Sequence, residues 1–240
     1  LIKSIKQFLK NKDIYFFLGN LFSALGIALY SDSLLRGEIA KVVILFYLCP
    51  VWGTILAKII LNIKFNFQRY MSLFLGIIGL EIILRFDEGI FFPSTIVEYM
   101  ALTAGFSWAL GMTFFHLSKT SKGLEKTAFT SIFIPIFFLL LAFIPGGRDI
   151  EIININFSSN VFILLIFLFA IIWLLPSILL TYVSVEVLDP GRINILLMFE
   201  VIIGITSAAL LTDEIIGLRE IIGGIIIISA VLIHFIKIKK

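Results

Sequence analysis

The sequence predicts an all-α integral membrane protein: a bundle of eight spanning helices, drawn from an inverted five-plus-five repeat of ten helices with two N-terminal helices missing. Three observations predict it. Of the 240 residues 60% are hydrophobic and only 15% charged, with a mean hydropathy of +1.11. Ordinary globular chains are about 45–50% apolar and about 25% charged, so a water-soluble domain cannot cover this much apolar surface. The apolar residues gather into eight runs of 15–23 residues, and the second half repeats the first at a constant offset of 151.

The runs are Ile14–Tyr30, Ile39–Leu61, Tyr70–Leu84, Ile96–Leu117, Thr127–Ile144, Val161–Val183, Arg192–Leu211 and Glu220–Ile236. Each is apolar nearly all round, so periodicity does not separate helix from strand. Length does, because a spanning helix needs about 20 residues while a barrel strand needs about 10 of alternating polarity. The third run is the short one.

Basic residues orient the spans. With the N-terminal lead and the C-terminus cytoplasmic, Lys3, Lys6, Lys10, Lys12, Lys64, Arg69, Lys119, Lys122, Lys126, Arg192, Lys237, Lys239 and Lys240 fall inside, 13 in all. Arg36, Lys41, Arg85, Arg148 and Arg219 fall outside, 5 in all. Lys58 lies near the inner end of its span and can snorkel. The net charge of +3 is spread over short loops, which excludes a nucleic-acid surface. Cys49 is the single cysteine, so no internal disulfide is possible. His116 and His234 have no metal-ligand partner at helical spacing, and no nucleophile elbow or phosphate-binding glycine loop occurs. No cofactor, metal or enzymatic chemistry is expected.

The repeat aligns without a gap. Ser33 falls on Ser184, Ile44 on Ile195, Leu45 on Leu196, Gly53 on Gly204, Ala57 on Ala208, Ile77 on Ile228 and Ile82 on Ile233. The paired runs cross in opposite directions, as inverted repeats do. Residues 1–94 make the last three helices of the first repeat and residues 95–240 the five helices of the second. Partners of the runs at 96–117 and 127–144 would precede residue 1, which predicts two further spans there, roughly 55 residues.

With these residues in place the chain resembles the drug/metabolite transporter superfamily, and within it the EamA-like transporters. The stretches that carry the resemblance are LFYLCPVWGTILAKIILNIKFNFQRYMSLFLGIIGLEIIL and LLMFEVIIGITSAALLTDEIIGLREIIGGIIIISAVLI, with GFSWALGMTFFHLSK as a first repeat helix. Tyr47 to Pro50 is similar to a run in the aromatic amino-acid exporters of the superfamily. Three positions depart from the pattern: Ile63 replaces a glutamate, Val201 a proline and Ser72 a glycine. The resemblance implies a multi-pass inner-membrane exporter of amino acids or related metabolites working by alternating access. A non-transporting scaffold or sensor of the same fold is the alternative. The partners implied are a small-molecule solute and the lipid bilayer, with protons as a candidate coupling ion; the oligomeric state is left open.

Glu200 is the residue around which a site would form. It is an unpaired acid near the middle of its run, and an ionised carboxylate at such depth costs roughly 2.5–3.5 kcal/mol, so it should face protein or a wet cavity. It is a proton or substrate-amine site, or a carboxyl bonded between helices. Helical spacing places Glu200, Gly204 and Ser207 or Ala208 on one face and Cys49, Gly53 and Ala57 on the equivalent face of the partner, which suits close helix packing. Pro50 removes a backbone hydrogen bond in mid-run, for a hinge or a fixed bend. Tyr47 and Thr54, seven apart, are placed on the proline-side face. Trp108, Met112 and Phe115 form a stripe that meets solute, lipid or a neighbour, and Trp173 with Pro176 marks another run. Asn20 and Asn194 are expected to bond between helices, and Asn194 also ranks among the candidate cavity residues.

Overall fold

In this computed structural model the described residues are 13–63, 66–83, 93–144, 160–203, 206 and 217–235. They are helical throughout, with no strand among them. Helix α1 (Ile14–Arg36) starts where the Asp13 side chain accepts a hydrogen bond from the Phe16 N–H at 3.1 Å. Its far end is tied down by Arg36, which pairs with Asp32 at 2.9 Å and donates to the carbonyl oxygens of Leu141 and Ile144.

The second run divides into α2 (Ile39–Phe46) and α3 (Cys49–Ile59), interrupted at Tyr47 and Leu48. Pro50 sits in the first turn of α3, where the missing N–H does least harm. Just past α3, Asn62 adopts a left-handed φ of 53°, which asparagine tolerates, and the Ile63 N–H turns back to the Ala57 carbonyl. Helix α4 (Phe67–Ile83) follows, 17 residues long as its short run foretold.

Helix α5 (Ile96–Leu117) opens on a capping box: Thr95 accepts from the Glu98 N–H, and the Glu98 carboxylate accepts from the Thr95 N–H. Helix α6 (Gly123–Leu141) begins one turn earlier than its apolar run, because Glu125 returns a hydrogen bond to the Lys122 N–H. Helix α7 (Asn160–Phe169), a π-helical turn at Ala170–Leu174 and α8 (Leu175–Ser184) make one continuous rod. Pro176 explains the wide turn, since its ring displaces the carbonyl four residues before it.

Helix α9 (Pro190–Leu197) starts on the N-cap of Asp189 and is interrupted at Met198; residues 199–203 are helical again. The single continuous span expected at 192–211 is therefore broken after Leu197. The interruptions at Tyr47 and Met198 are 151 residues apart, the offset of the repeat. Helix α10 (Leu218–Phe235) closes the described chain and lies against α4, with Gly79 set on the Gly223 carbonyl.

Among the described residues five stretches are long and apolar enough to cross a membrane: Ile14–Arg36, Lys41–Ile59, Ile96–Leu117, Gly123–Leu141 and Ile163–Ser184. The core gathers around α5, where Trp108, Met112 and Phe115 pack with Cys49, Tyr182, Val185 and Ile193. The predicted aromatic stripe is therefore a packing face.

Candidate functional site

The two interrupted helices meet. At the break in the first, the Tyr47 hydroxyl donates to Glu200 Oε2 at 3.1 Å, two residues past the break in the second. Tyr47 is 4% exposed whereas Glu200 is an exposed residue. The acid thus has a partner between the helices and is not enclosed. The tyrosine ring carries the burial and the carboxylate stays exposed.

One turn away, Asn194 ties three helices together. Its Oδ1 accepts from Trp108 Nε1 on α5 at 3.2 Å, and its Nδ2 donates to the Cys49 carbonyl at the start of α3, also at 3.2 Å. Asn194 is fully buried, so satisfying both ends of the amide matters. Gly53 makes the arrangement possible, because a Cβ there would run into the Asn194 amide. Pro50 leaves the Phe46 carbonyl without its helical donor, and the Gly105 backbone lies directly against that carbonyl. Tyr30 stacks on the Phe46 ring with centroids 4.0 Å apart, closing the other side of the break.

Of the residues read from the sequence, Tyr47, Cys49, Pro50, Gly53, Trp108, Asn194 and Glu200 come together here. Thr54 and Ala57 lie deeper along α3 and are buried; Thr54 faces Gly191 rather than a cavity. Trp173 is elsewhere: it is 59% exposed on the π-helical turn of the outlying rod. Gly204, Ser207 and Ala208 lie outside the described residues. Asn20 bonds between helices as expected, accepting from Thr130 Oγ1 at 2.9 Å. The His116 ring nitrogen Nδ1 bonds the Val185 carbonyl at 2.9 Å.

Sequence reasoning passed over a charged cluster at the far end of α3 and α9. Asp189 pairs with Arg69 of α4 and, at 3.1 Å, with Arg192. The side chains of Arg69 and Asp189 are 7% and 11% exposed, so this joint between the halves is largely removed from water. Asp189-Pro190-Gly191 is a helix-start signature, and it was the available signal. Tyr30 was passed over too, and nothing in its spacing marks it.

The model of the EamA-like transporter family matches residues 1–85. The EamA-like match spans α1 to α4 and so includes Tyr47, Pro50 and the first interrupted helix. With the apolar helices among the described residues, the match supports a multi-pass membrane protein. No curated protein matches the chain by sequence. A solved crystal structure shares the fold, with a TM-score of 0.68 and 11% sequence identity over 91% of this chain and 76% of its own.

Proposed function

We propose that this protein exports a small organic solute, an amino acid or a related metabolite, by alternating access around the crossing of the two interrupted helices. The observation that carries the proposal is the meeting of Tyr47 and Glu200 at breaks that fall 151 residues apart. Interrupted backbone at membrane depth is tolerated only where protein buries it or a wet cavity runs beside it, and inverted-repeat transporters bind solute at such breaks. The exposed Glu200 carboxylate offers a site for a solute amine or a proton, while Tyr47 offers a ring edge and a hydroxyl.

Packing around the crossing is uneven, and that supports a one-sided opening. On the Arg69 and Asp189 side, α3 and α9 are locked through Gly53, Asn194 and the buried ion pair. The basic residues put that side at the cytoplasm. Glu200 then opens toward the opposite face of the inner membrane, and rocking of the halves would exchange the two sides. A gradient of protons or of the solute itself would drive the cycle.

Purified protein in vesicles, tested for uptake and efflux of a solute panel under an imposed pH gradient, decides the proposal. Movement of an amine-bearing solute that Glu200→Gln abolishes is the expected result. Failure to move any solute in either direction would overturn it and favour a scaffold or sensor.

A further inference from the structure

The rod made by α7, the π-helical turn and α8 puts a single buried side chain into the bundle. Between Ile163 and Ser184 Tyr182 is the one buried residue. Its ring stands 4.8 Å from Phe115 and 6.2 Å from Trp108. The hydroxyl at its end is next to the hydroxyls of Ser23 on α1 and Thr130 on α6. Ser23 and Thr130 are buried as completely as Tyr182, and so is Asn20, the partner of Thr130. Polar side chains of three helices thus gather inside an apolar bundle, away from the crossing at Glu200.

The protons of this cluster can be assigned. Asn20 Nδ2 donates to the Phe16 carbonyl at 2.7 Å, and a carbonyl can only accept. Asn20 Oδ1 is therefore the acceptor that takes the Thr130 proton at 2.9 Å. Thr130 Oγ1 has then given up its one proton and offers only lone pairs. Other buried hydroxyls nearby bond the carbonyl one turn back in their own helix, Thr113 to Ala109 and Thr127 to Gly123. Ser23 does not. Neither Ser23 Oγ nor the Tyr182 hydroxyl has a hydrogen-bond partner among the described residues. Two fully buried O–H groups thus hold protons without an acceptor, beside an oxygen without a donor, which protein interiors rarely tolerate.

We infer that Ser23, Thr130 and Tyr182 form a binding site for a small neutral molecule that both donates and accepts, a water molecule, which joins the rod to α1 and α6. The water accepts the protons of Ser23 and Tyr182 and donates to Thr130 Oγ1, roughly the three hydrogen bonds usual for a buried water. A cation fits the site poorly, because its three ligands include no carboxylate. The buried ammonium of Lys126 also sits one turn before Thr130, on the same face of α6. An anion fits poorly as well, because Thr130 Oγ1 has no proton to give it. Helix α5 walls the site with backbone, since a Cβ at Gly111 would stand 2.4 Å from Ser23 Oγ. Bonds through water are nearly as good in enthalpy as direct ones, so the rod's one buried side chain is anchored without a fixed side-chain bond.

The main test needs no substitution. Thr181-Tyr182 is the one Thr-Tyr pair in the sequence, so isotope labelling of threonine carbonyls together with tyrosine isolates Tyr182 in solid-state NMR spectra. Glu98-Tyr99 is likewise the one Glu-Tyr pair, and Tyr99 is 55% exposed, which makes it the reference. Magnetisation is transferred from water to the protein in lipid vesicles, and its build-up is followed at both tyrosines. The expected result is a build-up at Tyr182 as fast as at Tyr99, slowed several-fold in Thr130→Val. A build-up at Tyr182 several-fold slower than at Tyr99 in the unmodified protein would overturn the inference and leave the two hydroxyls dry. An unaltered build-up in Thr130→Val would overturn it too. A Tyr182 signal that shifts when sodium is replaced by choline, or chloride by gluconate, would overturn it in favour of an ion. Should Thr130→Val fail to fold, the unmodified chain decides by itself.

Discussion

The Tyr47 hydroxyl donates a 3.1 Å hydrogen bond to the Glu200 carboxylate and so joins two interrupted helices across 153 positions of sequence. A hydrogen bond to a charged group is worth about 1.5–3 kcal/mol, and the exposure of Glu200 sets this one at the low end. Tyr47→Phe and Glu200→Gln should each reduce transport, and the double variant should lose less than the sum, with a coupling of about 1 kcal/mol. Full additivity in vesicle assays would show that the contact does not matter to transport. Glu200→Gln should also abolish the pH dependence of transport with expression intact; an unchanged pH profile counts against a proton role.

Asn194 satisfies Trp108 Nε1 and the Cys49 carbonyl at once. Removing it leaves a buried indole donor without its partner, at a cost of about 1–3 kcal/mol. Asn194→Ala should therefore lower the thermal midpoint in detergent by several degrees. Pairing it with Trp108→Phe, which removes the orphaned donor, should recover part of the loss. No recovery would mean that Asn194 acts through packing alone.

The Arg69 and Asp189 pair is mostly removed from water, so breaking it from one side weakens the compensation of a largely buried charge, Asp189 keeping the half-exposed Arg192. Leaving a buried charge wholly uncompensated costs roughly 3–5 kcal/mol, and the second partner puts this change below that. Arg69→Gln and Asp189→Asn should each destabilise strongly, while the exchanged pair, Arg69→Asp with Asp189→Arg, should regain part of the loss. Equal unfolding midpoints for Arg69→Gln and the unmodified protein would show that the pair is dispensable.

Asp13 accepts hydrogen bonds from the Phe16 N–H at 3.1 Å and from Ser118 Oγ at 2.8 Å, and from Thr120 as well. Partial burial pushes its carboxyl pKa up, but the hydrogen bonds outweigh burial and hold it below the ordinary value of 3.8. A pKa depressed by folding means that the ionised form stabilises the fold above the ordinary value, and that this contribution fades as pH falls through the depressed one. Asp13→Ala should lower stability by about 0.5–2 kcal/mol near neutral pH. The gap to the unmodified protein should narrow below about pH 4. A gap that is constant from neutral to strongly acidic pH would remove the carboxylate from the account.

Much of the site was legible in the sequence because the relevant chemistry is rare in a spanning helix. Glu200, Asn194 and Pro50 stand out against apolar neighbours, and the structure brings them to one crossing. Trp173 stood out for the same reason and lies far off, because a tryptophan is as much at home in lipid as in a core. The second interruption, at Met198, had no residue to announce it: Val201 stands where the resemblance expects proline. The Arg69 and Asp189 pair was hidden because each residue sits at a span end, where charge is ordinary.

The sequence by itself determined that this chain is a helical membrane protein, since 60% apolar composition in runs of spanning length admits no other class. It also pointed to the repeat and to the residues worth testing, because both depend on residue type and spacing alone. Only the tertiary structure decided who meets whom. Tyr47 reaches Glu200, and Asn194 reaches both Trp108 and Cys49, because Gly53 and Gly105 carry no Cβ and let three helices close to backbone contact. Partners of that kind lie some 86 to 153 residues apart, and they are set by how helices pack, which no local pattern records.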